Sequence, residues 1–160
     1  MRTITLRTNV IAILALTALF PVCRLAGHGN GRHTFVTEFA GPVLGTIGGA
    51  PAEMWFHVNA QFFDDGTATG TLQVRVVGGE SFLYRVVQGE ATVEDETVVE
   101  VILTLERVGE DGTPSGETDV AIVRPSSTIQ DRLIYDLLGP TIHLEAPGTI
   151  GFRHEHTRPE

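Results

Sequence analysis

The chain predicts an all-β fold: an antiparallel meander of about eight or nine strands, forming a small barrel or a sandwich. Three observations carry that expectation. Apolar residues recur at every second position through most of the chain after residue 52, the period of a strand with one face in a core. Turn-forming residues punctuate the pattern at intervals of roughly 8 to 14 residues. Only one short segment has the spacing of a helix.

The elements follow in order. Residues 28–34, HGNGRHT, are glycine-rich and polar and read as a flexible lead-in, and HTFVTEFAG offers a first strand. GPVLGTIGGAPAE holds Gly41, Gly45, Gly48 and Gly49 with Pro42 and Pro51, and reads as a loop or irregular edge. Its GTIGG has the wrong spacing for a dinucleotide-binding turn. In residues 52–77, Met54, Phe56, Val58, Ala60 and Phe62 form one row, and Trp55, His57, Asn59 and Gln61 the other. After a turn at Asp65-Gly66, Leu72, Val74 and Val76 alternate with Thr71, Gln73 and Arg75, which completes a hairpin. Gly78-Gly79 turns the chain into SFLYRVVQGEATV, with a kink or bulge expected at Gly89. ETVVEVILTLERV and TDVAIVR are further strands, separated by the loop GEDGTPSGE. SSTIQDRLIYDLLGP is ambiguous. Ile129, Leu133, Ile134 and Leu137 allow a short helix near 127–138, but DRLIYDL pairs equally well with TIHLEA, and a strand is preferred. GTIGFR closes the fold.

The start of the chain is not fold material. Arg2 and Arg7 precede an uncharged run from Val10 to Val22, too short to span a bilayer comfortably and ordered like a secretory signal. The expected organisation is a signal peptide (1–26), a flexible lead-in and glycine/proline-rich segment (27–51), one β domain (52–153) and a tail (154–160). That makes the protein secreted or periplasmic. Membrane attachment would come only through an uncleaved leader or a lipid on Cys23, the single cysteine; the branched Val22 before it disfavours lipidation. A lone thiol gives neither a disulfide framework nor a thiolate metal site.

Composition closes off some chemistries. The sequence contains no lysine, which excludes a Walker A loop, a Schiff-base enzyme and a Ser–Lys dyad. After residue 26, eight arginines against 20 acidic residues leave a net charge of −12, unsuited to nucleic acid and favourable to a cationic ligand. The serines (Ser81, Ser115, Ser126, Ser127) lie in no G-x-S-x-G motif. His154 and His156, with His143 as a third, fall short of a zinc set. The acid–glycine stretches DDGTATG and GEDGTPSGETD lack a calcium-loop pattern and read as turns. No metal and no cofactor is expected.

The succession MWFHVNAQF, GTATGTLQVR, VQGEATV, DRLIYDL and APGTIGF resembles a family of small exported bacterial all-β domains of unknown role, over about residues 52–152. That resemblance implies an exported β domain and brings no catalytic residues with it.

Two functions follow as expectations. One is a ligand- or partner-binding domain with a cell-envelope role, its partner a small molecule or a protein, with Trp55, Gln61, Gln73 and Tyr84 as ligand-binding candidates. The other is a small-barrel enzyme of the isomerase or cyclase type, in which His57 acts as general base, with Asn59 and Arg75 beside it in a polar interior. The plainer expectation places that polar row on the wet outer face and the apolar row in the core.

Overall fold

The computed structural model describes residues 32–138 and 141–154. Nine strands follow in chain order: β1 (Arg32–Ile47), β2 (Ala50–Phe63), β3 (Ala68–Val76), β4 (Ser81–Glu94), β5 (Thr97–Val108), β6 (Pro114–Pro125), β7 (Arg132–Leu138), β8 (Thr141–Pro147) and β9 (Ile150–His154). Each strand from β2 to β7 pairs antiparallel with the next, and β1 pairs with both β2 and β8. The sheet therefore closes on itself as an eight-stranded up-and-down barrel, which removes the exposed edges of an open sheet. The chain turns at Gly148, and β9 continues the line of β8 along the first half of β1, with Arg32 opposite His154 and Val36 opposite Ile150.

The period-two pattern decides which way the strands face. Met54, Phe56, Val58, Ala60 and Phe62 point into the barrel with Leu72 and Val74 from β3. Val101, Leu103 and Leu105 of β5, Tyr135 and Leu137 of β7, and Ile142 and Leu144 of β8 meet them there. Burial of each large side chain is worth roughly 1.5–3 kcal/mol, whereas unpaired burial of the alternate polar row would cost several kcal/mol. The outer wall carries the ion pairs, Arg85 with Glu106 and Arg124 with both Glu100 (2.8 Å) and Asp136 (3.0 Å).

Two hairpins close with the same Asp-Gly-Thr turn. Asp65 accepts the amide (2.9 Å) and hydroxyl (2.6 Å) of Thr67, and Asp111 accepts those of Thr113 (3.1 and 2.6 Å). Both carboxyls are held below the usual carboxylate range by these threonine hydrogen bonds.

The segment expected to be a loop, GPVLGTIGGAPAE, is instead strand on both sides of the Gly48-Gly49 turn, and the strand expected at HTFVTEFAG forms the first part of β1. Gly48 and Gly49 supply the positive φ of that turn, whereas Gly41 and Gly45 serve close packing. A β-carbon on Gly45 would lie 2.4 Å from the His143 carbonyl oxygen and 2.5 Å from the Met54 methyl group, at the seam where β8 closes onto β1. The ambiguous segment is the loop 126–131 followed by strand β7, with no helix. Aspects of β4 match the expected kink: the register shifts between Val86 and Gln88, and the Phe62 ring fills the space a side chain at Gly89 would need. The leader, Cys23 and the His156 end of the tail lie outside the described residues, as does the His154 side chain.

Candidate functional site

The expected site residues fall in two places. Trp55, His57, Asn59 and Gln61 lie on the outer wall of β2, with Arg75 and Gln73 opposite Trp55 and His57 on β3. The register thus gathers them into one strip, but on the surface and not in an interior pocket. His57 Nε2 stands 3.8 Å from Glu38 Oε1. Tyr84 faces the interior, toward the end of the barrel where β3 turns into β4, and its hydroxyl donates to Asp119 Oδ2 at 3.2 Å. Burial, seconded by the Asp119 charge, pushes that phenol up to about 12.

A concave feature lies at the opposite end, where the β4–β5 turn, the β6–β7 loop and the β8–β9 break meet. They line an open cleft of about 420 Å³, within the size range of small-molecule sites. Val98, Leu133, Ile150 and Phe152 supply apolar lining, while Glu96, Ser126, Gln130, Asp131 and Thr149 supply the polar part. Sequence reasoning singled out none of these as ligand residues.

Local chemistry fixes each wall. β4 and β5 are joined through Asp95 and Glu96, with φ of 45° and 65°, the paired left-handed conformation of a two-residue hairpin turn that usually takes Asn-Gly. On the second wall the Ser126 amide donates to the Arg132 carbonyl at 2.8 Å. The Ser126 hydroxyl accepts the Ile129 amide at 3.3 Å, and Asp131 takes a φ of 57°. The Asp131 carbonyl in turn accepts the Gly148 amide at 2.9 Å, tying this loop to the third wall. There Thr149 and Thr37 bond through their hydroxyls at 2.9 Å, and the Thr37 amide donates to the Thr149 carbonyl at 3.0 Å.

The charge of the cleft is negative. Arg132 also lines it, but its guanidinium is engaged by Glu145, with Nε 3.4 Å from the carboxylate and Nη2 donating to the backbone carbonyl at 3.2 Å. Glu96 and Asp131 have no such counterion among the described residues. Both sit in the sparsely populated left-handed region, where backbone strain often accompanies function. An apolar lining with carboxylates beside it suits a ligand with an apolar body and a cationic head.

The histidines are elsewhere. His33, His57 and His143 alternate with inward residues and belong to the outer wall. His143 Nδ1 lies 2.6 Å from Asp136 Oδ1, extending the Glu100–Arg124–Asp136 chain across four strands. Among the described residues, no group of three or more His, Cys, Asp or Glu side chains is placed to hold a metal ion. The sequence held a signal for two of its walls, though not for their meeting: Asp95-Glu96 stands between two strands where Asn-Gly is usual, and SSTIQD interrupts the alternation. Comparison with protein families, with curated proteins and with solved structures finds no match.

Proposed function

We propose that the protein is an exported binding domain that takes a small ligand with an apolar body and a cationic head into the cleft at the β4–β5 end of the barrel. The observation that carries this reading is the meeting, in one cleft, of apolar lining with Glu96 and Asp131, while the neighbouring Arg132 is neutralised by Glu145. The net charge of the chain, −9 overall, adds a long-range field of the same sign. The predicted leader supplies the exported setting.

Calorimetric titration with hexyltrimethylammonium, and separately with hexanoate, tests it. The ammonium ion is expected to bind at one site and hexanoate not to bind. Glu96→Gln combined with Asp131→Asn should weaken the ammonium ion by roughly tenfold, or about 1.4 kcal/mol. Equal binding of the two probes, or ammonium binding unchanged in the double variant, would contradict the assignment.

An enzymatic reading has a single observation in its favour, the Tyr84 phenol against Asp119 inside the other end of the barrel. The row of His57, Asn59 and Arg75 lends it no support, because it lies on the outer wall.

A further inference from the structure

The outer face of β1 and β2, with the start of the β3–β4 turn beside it, exposes apolar side chains that no described residue covers. Leu44 is 74% exposed, Val77 68% and Trp55 41%, with Pro42 opposite Trp55 on β1. Such a cluster on a strand face marks a surface for association.

The charges around it say what associates. Trp55 stands opposite Arg75, and the Val77 amide donates to the Glu53 carbonyl at 3.0 Å, setting Val77 beside Glu53. These four residues form one quadrilateral on the sheet surface. One diagonal, Trp55 to Val77, is apolar; the other, Glu53 to Arg75, carries opposite charges. Arg75 has no carboxylate partner among the described residues, whereas Arg85, Arg107, Arg124 and Arg132 each have one. Glu53 is likewise unpaired there.

We infer that this face is the interface of a homodimer, with its two-fold axis along the Trp55–Val77 diagonal. A two-fold axis makes each patch meet its own copy. Placed on that diagonal, it lays Trp55 on the Trp55 of the second copy and exchanges the other corners, so that Glu53 of each chain meets Arg75 of its partner. The apolar diagonal supplies burial at the centre, and the two reciprocal ion pairs fix the register. The patch is self-complementary in shape of charge, which a second copy satisfies without any other partner.

The test is sedimentation equilibrium of the full chain with Glu53→Arg, Arg75→Glu and the double reversal. The wild type should dimerise. Each single reversal should weaken dimerisation by roughly tenfold or more, since it sets like charges together, and the double reversal should restore it. The chain has one tryptophan, so its emission reports on Trp55 alone and should shift to the red on dilution of the dimer. A wild type monomeric at every concentration would overturn the inference, as would a double reversal no tighter than the singles. A blue shift of Trp55 produced only by phosphatidylcholine vesicles would also overturn it, assigning the face to a membrane surface. Far-UV circular dichroism of each variant separates loss of the interface from loss of the fold.

Discussion

Phe56 and His57 are neighbours on one strand and should respond oppositely to truncation. Phe56 is fully buried, its ring 4.7 Å from that of Tyr135 at an edge-on angle of 61°. Phe56→Ala should therefore cost about 3–5 kcal/mol in urea denaturation, while His57→Ala should stay within about 0.5 kcal/mol. A costlier His57 change would mean that the polar row is packed. Tyr135 makes a separate point. Its hydroxyl is buried with no hydrogen-bond partner among the described residues, and an unsatisfied buried hydroxyl costs about 1–3 kcal/mol. Tyr135→Phe should then stabilise the protein, by about 1 kcal/mol on the same measurement. Destabilisation would show that the hydroxyl is bonded.

The β4–β5 turn is where one element trades stability for a charged rim. Glu96 holds a φ of 65°, a conformation that costs a residue with a β-carbon about 1–2 kcal/mol, partly offset by the flexibility glycine adds to the unfolded chain. Glu96→Gly should raise stability by roughly 0.5–1 kcal/mol and, in calorimetry, weaken the ammonium probe. A less stable Glu96→Gly protein would mean that the carboxylate makes contacts the fold needs. Other elements differ in how legible they were. The β2–β3 hairpin could be read directly, because its alternation and the Asp65-Gly66 turn agree with each other. The second half of β1 could not. Gly41, Pro42 and Gly45 look like loop composition, but Gly41 makes room for the Phe39 ring (3.1 Å from where its β-carbon would lie) and Gly45 lets β8 close the barrel. The cleft was hidden for another reason: its residues come from three separated segments, 96–98, 125–133 and 148–152, and no spacing within one segment records their meeting.

On the scale of the whole molecule, the barrel is apolar within and charged without, the reverse of a barrel whose outer wall faces lipid. Its polar row was legible as a surface because burying it would cost several kcal/mol and forfeit the burial of the apolar row. The most direct test of this arrangement uses the chain's only two tyrosines, Tyr84 and Tyr135, both of which point inward. Burial raises both phenols, Tyr84 to about 12 and Tyr135 further. An unfolded tyrosine ionises near pH 10, so above about pH 10 the unfolded chain holds fewer protons than the folded one. Stability from these groups is whole below that pH and falls as pH rises through 10 toward the raised values. Alkaline titration followed at once by phenolate absorbance and far-UV circular dichroism should show no phenolate near pH 10 while the sheet persists, then both tyrosines ionising together with its loss. A phenolate appearing near pH 10 with the sheet intact would place a tyrosine in water and contradict the closed apolar interior.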